Sequence, residues 1–224
     1  KADDAHTDLE SLDAAGVHAS KGTVSIERCA VTIDQSNQTR LNLASSHLSG
    51  CPRGISLEQG VTSARVSEAD VAVTGSRAVE AQSGSNDLMS SDNAYALYSA
   101  SMGNVVVAGG SFEATSARGT AAALCAASLA IEAAPDGSPV VVKADAGNVA
   151  AGVRSTRACG VVLDGPMEFT LPRALLPAHG TALLSDVDNG FVLSSRFSTV
   201  NAPVLVGTAL DAANGDGDRI ATFD

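Results

Sequence analysis

One three-part phrase recurs along this chain and narrows what it can fold into more than any other feature. Its clearest copy is the segment 53–75, RGISLEQGVTSARVSEADVAVTG. It reads as a short apolar strand (Gly54-Ile55-Ser56-Leu57), a turn at Gly60, a second strand (Ala64-Arg65-Val66), a polar bend and a third strand (Val71-Ala72-Val73). The first strand returns as Gly16-Val17-His18-Ala19-Ser20, Ala96-Leu97-Tyr98-Ser99-Ala100, Ala123-Leu124-Cys125-Ala126, Ala151-Gly152-Val153-Arg154-Ser155 and Thr181-Ala182-Leu183-Leu184-Ser185. Second strands follow at Val24–Ile26, Val105–Val107, Leu129–Ile131, Val161–Leu163 and Phe191–Leu193. Third strands follow at Val31–Ile33, Phe112–Ala114, Val140–Val142, Phe169–Leu171 and Ser198–Val200. Between second and third strands lie turn formers such as Gly109-Gly110, Pro135-Asp136-Gly137 and Asp164-Gly165-Pro166.

A repeat of about 25–40 residues, with three short strands in each, cannot bury its inward side chains alone. Stacking sets each strand parallel to its counterpart one repeat away and buries a continuous aliphatic column. Alternation supports this, with Val24 and Ile26 facing in and Ser25 facing out. The chain has 45% hydrophobic but only 3% aromatic residues, so its core must be built from Val, Ile, Leu and Ala. The pattern resembles the right-handed single-stranded parallel β-helix, the pectin-lyase-like fold. The expectation is therefore an all-β solenoid of about six coils, with three short strands per coil. Residues 1–13 read as a loose lead-in, 14–207 as the β-helix domain, and 208–224 as a C-terminal cap or linker. A β-sandwich is the competing architecture, but it would require hairpin turns throughout.

The net charge of −11 argues against nucleic acid and anionic membrane surfaces, because phosphates need a basic partner. No apolar run is long enough to span a bilayer. The chain begins at Lys1 without a signal-like segment, so it reads as processed or as part of a longer multidomain chain. Cys29, Cys51, Cys125 and Cys159 form no CxxC pair and have no His at ligand spacing. They read first as small core residues, with a Cys29–Cys51 disulfide as the alternative.

The early repeats are longer than the later ones, and the excess falls after the third strand. There lie Asp34–Pro52 and Ser76–Tyr95, which should occupy one side of a stack. They carry Arg40, His47, Arg77, Asn86, Asp87, Asp92 and Tyr95, with Tyr98 just beyond. Acids, amides, guanidiniums and rings in this mix suit a glycan or a protein partner. The plainer reading is a set of solvated loops, with the two tyrosines packing against them.

Enzymes of the resembled fold imply clustered carboxylates with Arg or Lys, or a calcium site, on one outer sheet. Glu27, Glu68 and Asp70 with Arg28, and further along Asp136 and Asp164, are the bend acids to weigh; each is first a turn former. Ala178-His179-Gly180 is similar to one motif of polygalacturonase-type hydrolases, but the companion motifs are absent. Asn214, Asp216 and Asp218 alternate as hard-cation ligands would, yet the rest of a calcium loop is missing, so an acidic tail is the simpler account. The expectation is a non-catalytic surface or secreted module, adhesin-like or a stalk, binding glycan or protein through loops 34–52 and 76–95. It needs no cofactor, although Ca2+ remains the ion to test. The alternative is a polysaccharide lyase or glycoside hydrolase.

Overall fold

A computed structural model describes residues 14–35, 52–75, 93–117, 119–147, 149–171, 180–200 and 206–208. They form fifteen strands: β1 (Ala15–Glu27), β2 (Ala30–Asp34), β3 (Arg53–Thr74), β4 (Ala94–Ser99), β5 (Asn104–Ser116), β6 (Thr120–Ala126), β7 (Leu129–Glu132), β8 (Val140–Ala146), β9 (Val149–Ser155), β10 (Val161–Asp164), β11 (Pro166–Thr170), β12 (Gly180–Ser185), β13 (Phe191–Leu193), β14 (Ser198–Val200) and β15 (Val206–Thr208). No helix occurs among the described residues. All strands belong to one parallel sheet that closes on itself almost like a barrel.

The hydrogen bonds fall into three ladders. The first runs β1–β3–β4–β6–β9–β12–β15. The second uses the later half of β1, the middle of β3 and the start of β5, then β7, β10 and β13. The third joins β2, the end of β3 and the end of β5 to β8, β11 and β14. Registers follow the sequence phrase: Val17, Ile55, Leu97, Leu124, Val153 and Leu183 lie side by side in the first ladder.

Two features differ from the sequence expectation. First, the early strands are not separate short ones. β3 runs 22 residues, hydrogen-bonding to β4 and then β5 along its length. Bends replace breaks because single residues in the left-handed region turn the chain: Glu68 (φ 50°) lies beside Arg28 (φ 46°) and Gly109 (φ 65°) in neighbouring strands. Second, the third-strand phrases do not align position by position: Phe112 and Phe169 stand beside Val142 rather than Val140, and Ser198 stands beside Pro166 rather than Phe169.

The core is mainly aliphatic, as the scarcity of rings required, with Phe112 and Phe169 also buried in it. Ile55, Leu57, Val66, Leu97, Phe112, Leu124, Ile131, Leu163 and Leu183 are fully buried. Ladder one packs tightly on ladder three at Gly54, where a Cβ would lie 2.2 Å from Val71 Cγ1, and the Ala96 carbonyl oxygen of the next strand would be 2.6 Å away. The equivalent positions in other strands are Gly16, Ala96, Ala123, Gly152 and Ala182. A small residue followed by a larger aliphatic one is thus a steric requirement of this ladder. At the corners, buried serines satisfy backbone carbonyls: Ser101 Oγ donates to Val61 O (2.6 Å) and Ser155 Oγ to Gly190 O (2.9 Å).

Candidate functional site

Two of the residues expected at a site, Tyr95 and Tyr98, lie on β4 and face away from the core. Their row neighbours follow from the register. Arg53, Tyr95, Ala122, Ala151 and Thr181 form one outward row; His18, Ser56, Tyr98, Cys125, Arg154 and Leu184 form the next. The tyrosine rings are 5.5 Å apart and tilted by 40°. The Arg53 guanidinium carbon sits 4.2 Å from the Tyr98 ring centroid, a cation–π contact. Arg53 Nη1 also lies 3.4 Å from Ser56 Oγ and 3.6 Å from Glu58 Oε1.

Tyr95 is only 6% exposed and packs with Ala122, Cys125, Ala151 and Leu184 in an apolar cluster separate from the main core. Its ring is therefore not open for stacking on a sugar, and the packing role is the one the geometry supports. Tyr98 is half-buried, with Arg53 over its ring. Further along the same row Arg154 Nε donates to both Asp186 oxygens, at 2.9 and 3.2 Å. Burial pulls the Arg154 pKa down, but the Asp186 hydrogen bond and nearby groups outweigh it and raise the pKa.

A second feature is a surface hollow of ≈ 280 Å³ at the bend between ladders two and three, lined by Glu132, Ala133, Asp164, Gly165, Pro166 and Arg196. Asp164 lies in register with Glu132, not with Asp136 as its bend position suggested. Asp136 instead caps its own turn by accepting the Ser138 N–H at 2.9 Å. Asp164 accepts from Ser194 Oγ, from Arg196 Nε (2.9 Å) and from Arg196 Nη2. The Ser194 hydroxyl, followed by the Arg196 guanidinium, holds the Asp164 carboxyl below its usual range. Glu132 Oε2 faces Arg65 Nη1 at 3.5 Å. A general acid for glycosidic cleavage needs a raised pKa; Asp164 is driven the other way.

The remaining bend acids do not converge. Glu68 pairs with Arg28 at 3.4 Å, Glu27 accepts from Ser25 at 3.2 Å, and Asp70 stands beside Ala30 and Ser111 in the third ladder. His18 Nδ1 lies 4.0 Å from Glu58. Cys125 is buried on the outward row and Cys29 packs half-buried against the core, whereas Cys159 is exposed at a corner with φ 51°, against the expectation of a core thiol. Cys29 is free among the described residues, and Cys51, its partner in the alternative bridge, lies outside them. Arg40, His47, Arg77, Asn86, Asp87, Asp92, His179, Asn214, Asp216 and Asp218 lie outside the described residues. Among the described residues, no three His, Cys, Asp or Glu side chains gather as metal ligands would.

Sequence reasoning missed Arg53, Arg154, Asp186, Glu132 and Arg196. The signal was present for Arg154: Ser56, Tyr98, Cys125, Arg154 and Leu184 each stand two residues after the small position of the first strand, which fixes one outward slot. No protein family, curated protein or solved structure was found to match this chain.

Proposed function

We propose that this chain is a non-catalytic, extracellular or surface-displayed parallel β-helix module, right-handed, of about six coils. In this reading it binds a glycan or a protein through the loops 34–52 and 76–95, as an adhesin-like unit or stalk within a longer chain. Those loops lead directly into Arg53 and Tyr95, so ligand engagement there would be read by the Arg53–Tyr98–Tyr95 face. One observation carries the non-catalytic reading: both acids of the bend hollow are engaged by arginines, and Asp164 is held below its usual range. Such carboxylates act as struts between strands rather than as proton donors. The proposal needs no cofactor, and a calcium titration followed by thermal unfolding tests the segment 214–218.

A glycan array, run alongside reducing-sugar release from uronate polymers, is the decisive experiment. Binding without product release, lost on shortening either loop, is expected. Turnover that disappears in Asp164→Asn or Glu132→Gln would replace this reading with a lyase or hydrolase.

A further inference from the structure

The hollow at the bend between ladders two and three has a floor of small residues. Ala133 follows Glu132 at the end of β7, and Gly165 and Pro166 follow Asp164 at the end of β10. Gly165 has no room for a side chain, since a Cβ there would lie 2.4 Å from the Ala133 nitrogen and 2.7 Å from the Glu132 carbonyl carbon. The polar rim is only partly engaged. Asp164 commits its oxygens to Ser194 and to one edge of the Arg196 guanidinium, Nε and Nη2. Among the described residues the other edge of that guanidinium, with the two N–H groups of Nη1, has no partner, and the Arg196 side chain is 74% exposed. Glu132 Oε1 likewise has no partner among them; only Oε2 meets Arg65, at 3.5 Å.

We propose that this hollow binds a small zwitterion of the amino-acid class, with its carboxylate on the free edge of Arg196 and its ammonium on Glu132 Oε1. Three features choose this chemistry. Asp164 fixes the guanidinium from one side, so the planar fork left open is oriented for a second carboxylate, which it can take bidentately. Glu132, when ionised, only accepts hydrogen bonds, so it requires a donor, and a cationic donor binds it most strongly. Glu132, Asp164, Arg65 and Arg196 together carry no net formal charge, so a ligand with one charge of each sign leaves the hollow balanced, whereas a lone amine or a lone carboxylate does not. The floor of Ala133, Gly165 and Pro166 offers no polar side chain, and the volume of ≈ 280 Å³ lies at the small end of ligand sites, which favours an amino acid with a short side chain. The hollow lies apart from Arg53 and Tyr95, where the loops proposed to bind glycan or protein enter ladder one, so the two sites can be tested separately.

An NMR titration of the full chain at neutral pH with glycine and L-alanine, set beside methylamine, acetate and glycerol, tests this. The amino acids should bind with a Kd of about 1 mM and shift the amide signals of Ala133 and Gly165. The three control compounds should bind at least about tenfold more weakly, since each lacks one or both charges. Glu132→Gln removes the acceptor charge at a side chain that is 41% exposed, and should weaken glycine binding about tenfold. Arg196→Lys keeps the charge but loses the fork, and should also weaken it about tenfold. Circular dichroism of each variant confirms that it has folded. No saturable shift at about 10 mM glycine, equal binding of acetate or glycerol, or an unaltered affinity in Glu132→Gln would each overturn the proposal. Glycan binding through the loops without amino-acid binding would overturn the zwitterion site and leave the loop reading intact.

Discussion

Gly110 sits at φ 90°, and a Cβ there would lie 2.4 Å from the Ala69 carbonyl oxygen and 2.7 Å from its nitrogen. Backbone cannot yield as a flexible side chain can, so Gly110→Ala should destabilise the chain by about 3 kcal/mol, read as a shift in urea midpoint. Cys159 is the opposite case, a non-glycine residue in the left-handed region on an exposed corner. Cys159→Gly should raise stability by up to about 1 kcal/mol. Asp164 gives a pH signature. Its folded pKa lies below the ordinary 3.8, so its contribution is present above that value and is lost as pH falls through the folded pKa. Acid titration of unfolding should show Asp164→Asn less stable at neutral pH and less sensitive to acid than the parent. None of these three roles was legible beforehand: Gly110 read as a turn residue, Asp164 as a turn acid weighed for catalysis, and Cys159 as core. A turn is coded locally, but the atom that fills the space beside it comes from the neighbouring strand.

At the scale of elements, the strands of the first and second ladders were readable because their phrases alternate and carry a small residue at one position. The register of β8 was not. Val140-Val141-Val142 has no polar residue to mark its faces, so sequence pattern alone cannot say which valine stands beside Phe112. The outward rows also needed the register. Once Tyr98, Cys125 and Arg154 are placed side by side, the cation–π contact and the Arg154–Asp186 pair become structural ties between strands. Arg154→Ala, which leaves Asp186 partly buried without its partner, should destabilise by about 2 kcal/mol. Tyr98→Leu should lose about 1 kcal/mol. Thermal melts of the two single variants and the double variant would test whether these ties act independently, as their separate contacts imply.

For the whole molecule, a sheet built by stacking predicts that stability depends on where along the stack a side chain lies. Leu124→Ala, fully buried in the interior, should remove about 2–5 kcal/mol. Val24→Ala, in the end strand β1 and half-buried, should remove about 1 kcal/mol or less, with hydrogen exchange rising in β1 and β2 only. Equal losses at both positions would contradict the stacking account. The sequence by itself determined the all-β class and the parallel pairing, because a phrase repeated in the same order can bury its apolar residues only by lying beside its own copies. It also determined an aliphatic core, since the chain has almost no rings to place there. Only the tertiary structure decided which outward residues meet, that Tyr95 is packed and not presented, and that Glu132 and Asp164 are neighbours held by arginines. Those facts depend on register between strands tens of residues apart, and a shift of one or two residues, which local pattern tolerates, changes every outward partner.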